Sequence, residues 1–233
     1  MMEMEERRRD VRRAEHIRQV KRRRLSRRRL LLRCVIGIVA FSFGFGAGWA
    51  ARGRRVRKPV DLSAIEPPNW VEQQLLTENP NSRPGTKLAV VNNIVIHYVA
   101  NPMTTAQNNR DYFEGLKHES GSNSEQRSSH FIVGLDGEVI QCIPVYEKAF
   151  ASNDRNWDTI AIECCHRTED GSFTEETYDS LVRLTAWLCK ELHLTSEDLI
   201  RHYDVTGKIC PKYFVDHEDA WEQFKKDVKK AMR

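Results

Sequence analysis

Apolar positions are spread unevenly along the chain, and their spacing changes from one stretch to the next. From Cys34 to Ala51 the run CVIGIVAFSFGFGAGWAA carries no charge, and Leu30 to Leu32 extend it past the single Arg33. That approaches the roughly 20 residues a helix needs to cross a bilayer core, and its glycines suit close helix contact in lipid. The run predicts a single N-terminal transmembrane helix over 34–51. A buried core helix would show an amphipathic pattern, which is missing. A cleaved signal peptide is the rival, opposed by a long preceding head and by the lack of a small-x-small cleavage site before Arg52. Residues 52–84 lose sustained periodicity and gather Pro, Asn and Ser, which predicts a linker with a short helical piece around Trp70 to Leu76.

Beyond residue 85 strand and helix patterns alternate. Asn93 to Ala100, NIVIHYVA, is a β-branched run that reads as a buried strand ending near His97. Thr105 to Lys117 places Tyr112, Phe113 and Leu116 on one side of a helix. SHFIVGLDGEVIQCIP holds two alternating strands around Asp136-Gly137, a strong hairpin signal. Asp158 to Cys165, DTIAIECC, is another short apolar strand. Ser172 and Glu175 have capping-box spacing ahead of Leu181, Val182, Thr185, Leu188 and Leu192, an amphipathic helix. A last helix is expected over His217 to Met232, with Trp221, Phe224 and Val228 inward. This alternation predicts an α/β fold with a mixed central sheet flanked by helices.

Charge sharpens the division. Residues 1–33 contain 14 Lys and Arg against 5 Asp and Glu, and residues 52–58 add 5 more basic residues. Subtracting +9 and +5 from the formal +4 leaves −10 for residues 59–233, so the basic total gives no reason to expect nucleic acid as a partner. The dense KRRRLSRRRLLLR head outweighs ARGRRVRK on the far side of the apolar run, which predicts a cytoplasmic N-terminus and an extracytoplasmic body in the cell membrane. The expected organisation is a basic cytoplasmic head over 1–33, an anchor over 34–51, a linker over 52–84 and a folded domain over 85–233. Six scattered cysteines without a CxxC pair do not read as a disulfide scaffold. A bridge among Cys142, Cys164, Cys165 and Cys189 stays open.

Three features carry candidate chemistry: His97 at a strand end, Glu163 inside DTIAIECC, and the loop RHYDVTGKICP from Arg201 to Pro211. A lone strand His or a lone Cys is more often a core residue than a ligand. A carboxylate in so apolar a strand needs a partner. Zinc explains the set jointly, since it takes imidazole and thiolate and in a catalytic site leaves a fourth position for water. His97, His202 and Cys210 would be its ligands, although they come from distant segments and form no compact zinc-finger pattern.

The segments IVIHYVANP, SSHFIVGLDGEVIQCIP, TIAIECC and IRHYDVTGKICP, spanning about residues 85–230, resemble the type 2 N-acetylmuramoyl-L-alanine amidases, a family related to the peptidoglycan recognition proteins. The resemblance implies Zn2+ at His97, His202 and Cys210, with Glu163 as catalytic acid and base and Lys208 as a cation beside the oxyanion. It also implies cleavage of the amide between N-acetylmuramic acid and L-alanine in peptidoglycan. His130, Asn153 and Tyr98 match positions expected to touch substrate, with a structural role open for His130. The chain departs from the family at Ala149-Phe150-Ala151-Ser152-Asn153, where an aromatic-His pair is common. The alternative function is a non-catalytic muropeptide-binding module of the same fold.

Overall fold

The computed structural model describes residues 59–121 and 124–233. The expected head and transmembrane helix lie outside the described residues, among which no helix is long and apolar enough to cross a membrane. These described residues belong to one compact unit.

Six strands build the sheet: β1 (Val71–Gln73), β2 (Asn93–Tyr98), β3 (Phe131–Val133), β4 (Val139–Gln141), β5 (Thr159–Cys164) and β6 (Leu199–Arg201). Their order is β1-β4-β3-β5-β2-β6. Every pairing is parallel except β3 with β4, the antiparallel hairpin. The expected hairpin turn is present, and Gly137 adopts φ +85°, the left-handed region open to glycine. Helices are α1 (Ala106–Gly115), α2 (Glu175–Glu191), α3 (His202–Thr206), α4 (Lys212–Asp216) and α5 (Glu218–Ala231). The mixed sheet flanked by helices agrees with the expected α/β class.

Strand alternation sorts the sheet into two faces. Ile94 and Ile96 of β2, Ile160 and Ile162 of β5, and Phe131 and Val133 of β3 join the larger core with Leu181, Leu184 and Leu188 of α2 and Trp221, Phe224 and Val228 of α5. The opposite face is covered by a smaller core of Ile132, Ile140, Cys142, Cys165 and the α1 residues Ala106 and Phe113. His97 and Glu163 fall on this second face, which the smaller core covers only in part.

Several local expectations need correction. Residues 59–84, expected as a linker, are folded into the body. The stretch expected as a helical piece around Trp70 instead supplies β1, because the exposed edge of β4 offers unpaired backbone groups and the β-branched Val71 packs inward beside them. Arg83 anchors the same segment to the hairpin side through two hydrogen bonds to Glu147, at 2.8 and 3.2 Å. The cap of α2 is Thr174, whose hydroxyl accepts from the Thr177 N–H, and not Ser172. Ser172 is drawn instead into hydrogen bonds with Asp170. The five described cysteines, 142, 164, 165, 189 and 210, are all free thiols.

Candidate metal centre and active site

His97 stands near the end of β2, between β5 and β6, and pairs in register with Glu163. In a parallel pair this sends both side chains to the same face. The other two expected ligands come from the segment after β6. Arg201, buried at the end of that strand, locks the segment. Its guanidinium donates to both oxygens of Asp204 at 2.9 and 3.1 Å, to the Phe214 carbonyl at 2.9 Å and to Glu218 at 2.6 Å. The one-and-a-half-turn helix α3 then ends on Gly207 at φ +78°, and the chain doubles back so that the Tyr203 N–H donates to the Cys210 carbonyl at 2.9 Å. His202 and Cys210 are thereby set on one side of a tight loop.

The three ligand atoms of His97, His202 and Cys210 lie within 4.8 Å of one another, and all three residues are buried. The two rings meet edge to face with centroids 4.7 Å apart, and the Cys210 sulfur is 3.7 Å from His97 Nδ1. Burial, then the charges of His202 and Lys208, push the His97 pKa well below its ordinary value. Burial and Lys208 lower that of His202. Both imidazoles are therefore neutral, the form that binds a metal. Burial and the nearby Glu163 push the Cys210 thiol up to about 12, against the Tyr98 N–H and Lys208. Such a thiol stays protonated at neutral pH unless a metal binds its sulfur and displaces the proton. Two nitrogens and one sulfur suit zinc and not magnesium or calcium, which require oxygen.

Glu163 is partly buried, and its Oε2 is shut off from solvent with no hydrogen-bond partner. Burial pushes its carboxyl up to about 8, opposed by the cations of Lys208 and Arg127. An orphaned buried carboxyl oxygen, at the register position of His97, has a place open for a donor from outside the chain. Lys208 is exposed on the ligand loop, and its charge reaches His97, His202, Cys210 and Glu163 alike. Arg127, not anticipated from the sequence, reaches Glu163 electrostatically and donates to the Tyr112 hydroxyl at 3.3 Å.

The three residues expected to contact substrate separate. His130 is 1% exposed; its Nε2 donates to the Glu147 carbonyl at 2.8 Å and its Nδ1 accepts from the Ala161 N–H at 3.0 Å. Both ring nitrogens thus have backbone partners, one of them in β5. Tyr98 follows the alternation of β2 to the face opposite His97, where its ring lies 5.1 Å from that of His166. Asn153 does reach the cluster, with Oδ1 3.0 Å from His202 Nε2. Beside it the buried Ser152, missed from the sequence, sets its hydroxyl 3.3 Å from His97 Nε2. The only hint was their position inside the unusual Ala149–Asn153 stretch.

Fold and cluster together define a mixed α/β domain in which two imidazoles and a thiol could hold a metal ion, with a partly buried carboxyl on the same sheet face. Residues 87–213 match the family model described as N-acetylmuramoyl-L-alanine amidase. The chain is 34% identical over 174 residues to the N-acetylmuramoyl-L-alanine amidase CwlL of Bacillus licheniformis, covering 68% of this chain and 46% of that protein. It is 33% identical over 175 residues to BlyA of Bacillus subtilis strain 168, covering 66% and 45%. The solved catalytic domain of XlyA superposes with a TM-score of 0.56 at 25% identity, over 68% of this chain and 98% of that domain. The chain belongs to the N-acetylmuramoyl-L-alanine amidase family, and it spans less than half the length of these two curated relatives.

Proposed function

We propose that the body hydrolyses the amide between N-acetylmuramic acid and the L-alanine of peptidoglycan stem peptides, with zinc held by His97, His202 and Cys210. The observation that carries this is the register of His97 with Glu163, which puts an unpartnered, buried carboxyl oxygen on the same sheet face as the three-residue cluster. Zinc, when bound, supplies Lewis acidity toward a carbonyl and lowers the pKa of water at the site.

Glu163 takes the proton of the attacking water and delivers it to the leaving nitrogen of alanine. A carboxyl lifted to about 8 by burial in the metal-free protein holds a proton firmly, which suits its delivery to the leaving nitrogen, and the positive charge of a bound zinc would favour the carboxylate form that first accepts it. The Lys208 ammonium, on the same loop as two ligands, faces the oxyanion of the tetrahedral intermediate. The apolar run at 34–51 is proposed to anchor the chain in the cell membrane with the basic head in the cytoplasm, which would put the body on the side where peptidoglycan lies.

Mass spectrometry of purified peptidoglycan after incubation with the chain tests the reaction. New free stem peptides beginning with L-alanine, lost in Glu163→Gln, are the expected products. Tight retention of muropeptides without release of any peptide would replace the enzyme with a binding module.

A further inference from the structure

The second nitrogen of each imidazole carries information that the metal ligands alone do not. His97 and His202 come from opposite halves of the body, yet their Nε2 atoms are met by two consecutive residues, Ser152 and Asn153. Asn153 Oδ1 has no hydrogen to give, so at 3.0 Å the shared proton belongs to His202 Nε2. The Ser152 hydroxyl can accept the Nε2 proton of His97, whose Nδ1 already faces the Cys210 sulfur at 3.7 Å. The pair is itself held in place. Asn156 Oδ1 accepts from the backbone N–H groups of Ala151 and Ser152, at 3.0 and 2.6 Å. Asn153 sits at φ +51°, a left-handed conformation that Asn tolerates better than most residues and that helps aim its side chain.

Taking the zinc reading above as its basis, we infer that Ser152 and Asn153 are positioning residues that hold both imidazoles as Nε2–H tautomers, so that Nδ1 of each is free to bind zinc. In this role they act through the rings, each meeting an Nε2 atom. Outer hydrogen bonds of this kind fix ring orientation and ligand basicity, and losing one typically costs about 10–100-fold in metal affinity. One loop thus sets both imidazole ligands, in the stretch where this chain lacks the aromatic-His pair.

The test uses the full chain, with the wild type, Ser152→Ala, Asn153→Ala, and the acceptor-retaining Ser152→Thr and Asn153→Asp. Long-range proton–nitrogen NMR spectra of the metal-free protein, labelled at histidine, read the tautomers directly. Zinc affinity is read by competition with a chromophoric chelator. Expected are Nε2–H forms for both ligands in the wild type, loss of that form at His202 in Asn153→Ala and at His97 in Ser152→Ala, and roughly 10–100-fold weaker zinc in each. Recovery to within a few-fold is expected in Asn153→Asp and Ser152→Thr. Should Ser152→Ala fail to fold, the exposed Asn153 carries the test alone. Wild-type tautomers and wild-type affinity in both alanine variants would overturn the inference. A wild type that binds no zinc would instead overturn the metal reading, while the metal-free spectra would still decide the tautomers.

Discussion

Replacing Glu163 by Gln should make the metal-free protein more stable at alkaline pH while abolishing catalysis. In the unfolded chain the carboxyl titrates at its ordinary 4.5, whereas burial in the folded protein lifts it to about 8. Between those values the folded protein binds a proton that the unfolded chain has released, so stability falls as pH rises. The contribution is fully present below about 4.5 and gone above about 8, at 1.36 kcal/mol per pH unit. The whole window is worth on the order of 3–5 kcal/mol, with the lower figure allowing for partial access of solvent to the side chain. Glutamine keeps the shape and never ionises, so its folded state pays no such penalty. Denaturant unfolding of chelator-treated residues 57–233 at pH 5 and pH 8 measures the effect. The wild type should lose several kcal/mol relative to Glu163→Gln over that interval, because contributions from His97 and His202 are common to both proteins and drop out of the difference. Parallel pH profiles for the two proteins would refute a desolvated carboxyl at 163.

Three further outcomes follow from particular contacts. Cys210→Ser should weaken zinc by more than about tenfold, measured by chelator competition, because a hydroxyl replaces the thiolate that completes the ligand set. Arg83→Ala should cost about 3–5 kcal/mol in denaturant unfolding, since it strips the main partner from a Glu147 side chain that is only 2% exposed, and adding Glu147→Gln should recover much of the loss. Gly137→Ala should cost about 2 kcal/mol and lower the midpoint of thermal unfolding by about 4–8 °C, because the new Cβ would stand 2.9 Å from the Glu176 carbonyl oxygen at a φ of +85°.

What could be read from the sequence follows from how far each signal travels along the chain. β2, β5, α2 and α5 were legible because their apolar positions repeat over six or more residues, and the hairpin, whose strands are only three residues each, because the Asp136-Gly137 turn between them is local. β1 and β6 are three residues each, too short to show a period, and they are strands only because the edges of β4 and β2 stand beside them. The segment 59–84 looked like a linker for the same reason: Leu76, Asn81 and Ser82 are buried by partners distant in sequence, and no run of neighbours announces it.

The site divides along the same line. His97, His202, Cys210 and Glu163 could be picked out by type, since imidazole, thiol and a carboxylate in an apolar strand are chemically conspicuous wherever they fall. Ser152 could not, because a serine after a hairpin has many ordinary explanations and its partner lies 55 positions away. Asn153 is expected at the substrate from the family resemblance, but only the geometry shows that its oxygen meets the His202 ring. Candidate metal ligands are thus recognisable from residue chemistry, whereas the groups that meet their rings depend on where a loop runs. Here that course is set by Asn156 closing on the backbone of Ala151 and Ser152, a contact that no pattern of spacing would reveal.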